Sequence, residues 1–156
     1  MRENKLSMIE AHVSTLVFDE QGNTILLLKR SQSRSLYREL WESTGGQVFV
    51  GETFVEAAKR IAIAEIGVEP EIRAVLGTYI IPAKDDSLRS TLIPGIRFLG
   101  VLNKRVIPNI TISNQHSEYL FVEKNNLNNH HLIPTLDEDI EAGFSVFREL
   151  PISLLR

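Results

Sequence analysis

Residues 46–68 read Gly46-Gln47-Val48-Phe49-Val50-Gly51-Glu52-Thr53-Phe54-Val55-Glu56-Ala57-Ala58-Lys59-Arg60-Ile61-Ala62-Ile63-Ala64-Glu65-Ile66-Gly67-Val68, and this stretch decides the fold. Thr53-Phe54-Val55-Glu56 is a capping box: the Thr53 hydroxyl can accept from a first-turn N–H while Glu56 reaches back to the cap. Gly67 supplies the left-handed conformation that ends a helix. Together these signals predict a helix over residues 54–66. At about 100° per residue, Ala58, Ala62 and Ile66 form its core stripe, and Ala57, Ile61, Ala64 and Glu65 share the adjoining side. Glu56 points roughly opposite Glu65.

Outward from the helix, residues 11–18 and 24–29 read as two strands around the turn Asp19-Glu20-Gln21-Gly22-Asn23, a hairpin. The segment 44–51, with glycines at both ends, suits a loop or short strand. Residues 71–81, 93–102 and 118–122 are strand-like. Residues 137–150 read as a second helix, with Ile140, Phe144 and Phe147 at helical spacing. This order gives an α/β chain with a mixed sheet flanked by helices.

Composition narrows the function classes. The chain has 156 residues, which suits one domain spanning 1–156. Its net charge of -3 argues against broad charge-driven binding to nucleic acid or to an anionic membrane and leaves room for a local basic patch. With no cysteine there is no disulfide, thiolate metal site or cysteine nucleophile, which fits a reducing cytoplasmic setting. The N-terminus Met1-Arg2-Glu3-Asn4-Lys5 is followed by no apolar run of the signal-peptide kind. Runs such as Ile25-Leu26-Leu27-Leu28 are far shorter than the ~20 residues of a membrane helix.

Gly46, Glu52, Arg60, Glu65, Gly67 and Val68 sit at the spacing of the Nudix box, which has nine defined positions. Ala62 is a small substitute at a seventh, while Ile61 and Ala64 stand where the family has glutamates. The context is also similar: Ile25-Leu26-Leu27-Leu28-Lys29-Arg30 resembles the early strand, Leu40-Trp41-Glu42-Ser43-Thr44-Gly45-Gly46 the approach to the box, and Gln115-His116-Ser117-Glu118-Tyr119 a late acidic segment. The chain thus resembles Nudix hydrolases over about residues 12–150. The resemblance implies the Nudix fold, an α/β/α sandwich with a mixed β-sheet. It also implies hydrolysis of a nucleoside-diphosphate derivative with Mg²⁺ or Mn²⁺, and family members are often homodimers. Divalent ions suit this chemistry because they neutralise phosphate oxygens and lower the pKa of bound water, and such hard cations need several oxygen ligands.

Glutamates at 61 and 64 would join Glu65 in a carboxylate cluster; Ile61 and Ala64 cannot ligate a metal. The box therefore keeps its structural residues Gly46, Glu52, Arg60 and Gly67, with the Glu52–Arg60 pair tying loop to helix by resemblance, and loses much of its metal set. Glu65 and Glu118 are the candidate metal ligands, and Glu118 the one named candidate for a catalytic role. Each has a plainer reading: Glu65 as a solvated helix-end carboxylate, Glu118 as an exposed strand-edge residue, and Arg60 as a partner of Glu56 one turn earlier. His116, His130 and His131 read as solvated loop residues, and Trp41 as packing rather than a stacking platform. Lys29, Arg30, Arg34 and Arg38 form either a solvated stretch or a phosphate clamp, since guanidinium forks match phosphate oxygens. The expected partner is a small phosphorylated ligand. Two functions follow: a weak, metal-dependent Nudix-type hydrolase of a phosphoanhydride, or a non-catalytic nucleotide-binding or sensor module that keeps the pocket without the chemistry.

Overall fold

The computed structural model describes residues 9–81 and 92–151; the N-terminal stretch Met1–Lys5 lies outside them. Among the described residues seven strands and two α-helices follow in order: β1 (His12–Asp19), β2 (Thr24–Arg30), β3 (Trp41–Glu42), β4 (Thr44–Gln47), α1 (Phe54–Ile66), β5 (Glu71–Ile81), β6 (Ile93–Leu102), β7 (His116–Glu123) and α2 (Leu136–Glu149). The glycine-flanked segment is thus a short strand. The last strand begins two residues earlier than the sequence suggests, and the second helix is shifted by one.

The sheet is mixed. Its main path runs β3-β2-β1-β6-β5, with β4 also on β1 and β7 also on β2. β1 and β6 are parallel along the full length of β1, and the other pairs are antiparallel. The β1–β2 ladder has a single register pair, Phe18↔Ile25. Beyond that point they diverge, and β3 and β4 fill the wedge, β3 bonded to β2 and β4 to β1.

Alternation along the strands divides the core into two layers. Leu16, Phe18, Ile25 and Leu27 pack with Leu136, Ile140, Phe144 and Phe147 of α2. Val13, Val17, Leu26 and Leu28 face the other way, onto Ala57, Ala58, Ile61, Ala62 and Ile66 of α1. One helix on each face makes this an α/β/α sandwich. The α2 layer is closely fitted: a Cβ on Gly143 would come within 2.9 Å of the Phe18 ring.

The predicted caps of α1 are present. Glu56 N–H donates to Thr53 Oγ1 at 3.2 Å, and Thr53 N–H donates to Glu56 Oε2 at 2.7 Å. Gly67 has φ +74° and its N–H closes onto Ile63 O at 3.0 Å. Thr53→Ala removes the side-chain acceptor and is expected to lower stability by about 0.5–2 kcal/mol. Urea unfolding of the two proteins checks this; an unchanged midpoint would show that the box helix is held by packing alone.

Candidate active site at the mouth of the strand wedge

The loop before α1 is pinned to the helix by one ion pair. The Arg60 guanidinium forks onto Glu52: Nε meets Oε1, and Nη2 lies 2.9 Å from Oε2. Nη2 also donates to Gln47 O at 2.8 Å. The plane of the guanidinium covers the Phe49 ring at 3.9 Å. Glu52 takes a further bond from Phe49 N–H at 2.9 Å. These bonds from Arg60 and Phe49 hold its carboxyl below the usual range. Arg60 therefore pairs with Glu52, not with Glu56, which is spent on the cap.

Glu65 comes off the last turn of α1, and its Oε2 accepts from Gly45 N–H at 3.1 Å. Among the described residues β4 has a strand partner on the β1 side only, which leaves the Gly45 N–H free for this bond. The Glu65 carboxyl is pushed up to about 8, first by burial and then by the nearby charge of Glu42, with the Gly45 bond and the arginines 34 and 30 working the other way. Glu65 is thus no solvated helix-end acid.

Its neighbour Glu42 is the hub of the site. Arg30 Nη1 donates to Oε2 at 2.6 Å, His116 Nε2 to Oε1 at 2.8 Å, and Arg34 Nη1 stands 3.6 Å from Oε1. Burial opposes the charge on Glu42, but the bonds from His116 and Arg30 outweigh it and hold its carboxyl low. The sequence reading missed this residue. The signal available was a lone acid inside the otherwise buried run Trp41–Thr44.

Two of the basic residues therefore meet at the site and two do not. Arg30 and Arg34 converge on Glu42. Arg38 Nε donates to Arg34 O at 2.9 Å and braces the loop. Lys29 points to the α2 face, where it pairs with Glu118 at 3.1 Å and lies 5.9 Å from the Trp41 ring centre. That places Glu118 on the opposite face of the sheet from Glu65, so the two expected metal ligands do not form one ligand set.

Other expectations need correction too. His116 is not a solvated loop residue; its side chain is fully buried and its Nδ1 has no hydrogen-bond partner among the described residues. Ile61 does not sit on an open ligand side beside Glu65. It is 6% exposed among Val13, Ala57, Ala58 and Phe98, and its Cδ1 would lie 3.1 Å from a Cβ on Gly46. Glycine at 46 is what lets this side chain pack there. Ala64, by contrast, is exposed. Trp41 is core packing, 7% exposed, with its ring edge against His130. His131 contributes its carbonyl, which accepts from Trp41 N–H at 2.9 Å.

No group of three or more His, Asp or Glu positioned to hold a metal occurs among the described residues. What remains is the Glu65 carboxylate, with Oε1 making no hydrogen bond among the described residues. Mg²⁺ is commonly held by one or two carboxylates with water and substrate phosphates completing the shell; the site fits a weakly held ion of that kind. A cavity of about 820 Å³ lies elsewhere, between the end of β7 and α2, and is lined by acids including Glu123, Asp137 and Glu141. That lining repels phosphate, so the wedge is the better candidate.

The NUDIX domain family matches residues 8–142, and the chain belongs to that family. No curated protein matches it in sequence. The fold is similar to the MutT protein of Methanosarcina mazei Go1, at 22% identity and TM-score 0.70, covering 94% of this chain and 100% of that one. It is similar to a C. elegans Ap4A hydrolase solved as a binary complex, at 17% identity and TM-score 0.67, covering 90% and 98%. It is also similar to the NUDIX domain of Shewanella oneidensis NrtR complexed with ADP ribose, at 15% identity and TM-score 0.69, covering 96% and 94%. At these identities the likeness shows the fold. No helix among the described residues is long and apolar enough to cross a membrane.

The raised Glu65 carboxyl has a measurable consequence. The folded protein keeps this proton up to about pH 8, whereas the unfolded chain releases it near 4.5. The folded state thus binds more protons across that window, and stability falls as pH rises from about 4.5 to 8. Glu65→Gln removes the titration while keeping an acceptor for Gly45. Its stability relative to the parent is expected to grow through that window and level off above about pH 8. A constant difference across the window in denaturant melts would contradict the burial of this acid.

Proposed function

We propose that the protein is a divergent Nudix-type hydrolase acting on a nucleoside-diphosphate derivative or a similar phosphoanhydride, dependent on Mg²⁺ or Mn²⁺ and slow. The observation that carries this reading is the delivery of Glu65 to the wedge. The Gly45 N–H holds its carboxyl group within the field of the two arginines on Glu42. A bound divalent ion would be held by Glu65 and the ligand's phosphates, and would supply an acidified water and charge neutralisation.

The chain's own residues do the rest. Arg34 is the looser partner of Glu42 and can turn to a phosphate without uncovering a buried charge. Arg30 and His116 keep Glu42 satisfied meanwhile, so phosphate entry leaves no unpaired acid behind. Arg30 and Arg34 together orient the diphosphate, and the fork geometry suits its oxygens. Glu65 must lose its proton to take the ion, so ion binding and proton release go together.

A second reading, a non-catalytic nucleotide-binding or sensor module, is favoured by Ile61. Its position belongs to the core, so the site has been rebuilt around an apolar residue rather than merely stripped of one acid.

The two readings separate in one set of assays. The hydrolase reading expects Mn²⁺-dependent turnover of nucleoside-diphosphate compounds, lowered about 100-fold by Glu65→Gln. Arg34→Gln is expected to weaken ligand binding about tenfold, and added salt to weaken the parent likewise. Binding in chelator with no turnover under any ion would leave the sensor reading standing and remove the first.

Positions 61 and 64 give a further check, because the structure makes them unequal. Ala64→Glu adds an exposed acid next to Glu65 and is expected to tighten Mn²⁺ binding without loss of fold. Ile61→Glu buries a charge among apolar side chains and is expected to cost several kcal/mol. Calorimetric ion titration and melts of the two single variants decide this. Equal stability of the two would show that Ile61 is not a core residue.

A further inference from the structure

The register of β2 on β7 slips once. Lys29 lies opposite Glu118 and Arg30 opposite His116, with Ser117 left between them as a β-bulge. Without the bulge, alternation would keep His116 on the α2 face with Glu118. The extra residue turns His116 to the face of Arg30 and Glu42 instead. There its side chain is fully buried, and its Nδ1 has no hydrogen-bond partner among the described residues. An unpartnered buried nitrogen is a cost that an apolar side chain would spare. Packing alone therefore does not account for a histidine at this place. What the ring supplies is one hydrogen bond, from Nε2 to Glu42.

The two oxygens of Glu42 are shared unequally. Oε2 takes Arg30 Nη1 at 2.6 Å. Oε1 has two claimants: His116 Nε2 holds it at 2.8 Å, and Arg34 Nη1 stands off at 3.6 Å, beyond hydrogen-bond reach. The Arg34 side chain is 25% exposed against 12% for Glu42, so of the pair it is the one that reaches solvent. The backbone around Arg34 is fixed. Its N–H donates to Ser31 O at 3.1 Å, Arg38 Nε donates to its carbonyl at 2.9 Å, and Arg30 Nε donates to Leu36 O at 2.9 Å. Only the end of the Arg34 side chain is left to choose between Glu42 and a ligand.

We propose that His116 is a positioning residue for the phosphate subsite: by occupying Glu42 Oε1 it keeps Arg34 off that oxygen and available to the ligand. This rests on the reading above in taking Arg34 to meet phosphate. The Glu42 carboxyl is held low, so it only accepts, and His116 Nε2 carries the hydrogen between them. Without that donor a mostly buried carboxylate oxygen is left short of a partner, which is costly. Arg34 Nη1 already stands beside it and closes the gap as a charge-assisted bond. The arginine must then break this pair before it can reach phosphate. The histidine thus acts on the ligand without touching it, through the choice that Arg34 is given.

The test titrates inorganic pyrophosphate into the intact protein in chelator by calorimetry, so it needs neither ion nor turnover. Two amide substitutions separate the donor from mere polarity. Gln places an N–H where Nε2 stands, whereas Asn places one nearer Nδ1, short of Glu42. His116→Gln is expected to bind pyrophosphate within about twofold of the parent, and His116→Asn about tenfold more weakly. In an Arg34→Gln background His116→Asn is expected to cause no further loss, because the two residues act through one contact. If His116→Asn does not fold, His116→Leu removes the donor instead and must give the same loss. Parent-like binding in a folded donor-less variant overturns the proposal. So do equal losses in the Gln and Asn variants, a loss that persists in the Arg34→Gln background, or no pyrophosphate binding by the parent. Mn²⁺-dependent turnover beside any of these leaves the hydrolase reading in place. The expected pattern of losses without turnover under any ion removes that reading and keeps the positioning role.

Discussion

One edge of β1 serves two strands, and the candidate site exists because of that division. β4 takes the edge along His12–Thr15, and β2 pairs with it at Phe18. Strands that share an edge this way must splay, and the chain from Trp41 to Gln47 fills the gap with two short strands bonded to different neighbours. Among the described residues β4 then has a second edge with no strand on it. A backbone N–H so exposed needs a partner, and Glu65 supplies it. The same splay aims Glu42 at Arg30 and His116 from the other flank. Acid, acid and arginines thus meet without any one of them being adjacent in sequence.

The architecture of the box and its chemistry have separated in this chain. The brace of Glu52 on Arg60, the capping box and the left-handed Gly67 are all intact. Ile61 has been drawn into the core under Gly46, where a carboxylate would be buried. Arginines around Glu42 balance its charge, and burial keeps a proton on Glu65. An anionic site that holds its own counter-charges does not need an ion to stay folded.

The helix, its caps and the strand order were legible because they are local. Capping residues, glycines and alternation act within a few positions, and each residue announces its role to its near neighbours. Glu42, His116 and Glu118 were not legible for the opposite reason. Glu42 and His116 are 74 residues apart and meet only through the register of β2 with β3 and β7. Glu118 looked like a companion of Glu65 because both are acids at resembling positions. One step of strand alternation puts it on the other face. Ile61 was readable as apolar, but the depth of its burial depends on Gly46, fifteen residues earlier and across the layer.

The parallel pairing of β1 with β6 has a consequence for synthesis. Every residue from His12 to Asp19 lies opposite a partner 83 residues later. Closing a segment of that length costs chain entropy before any ladder bond repays it. A chain leaving the ribosome makes the hairpin and the box helix early, yet the central strand lacks half of its sheet until residue 102 has emerged. During that interval the apolar run of β1 has an open edge, the state in which strands pair with the wrong neighbour. The order of emergence, more than the final packing, sets when this protein is most exposed to misassembly.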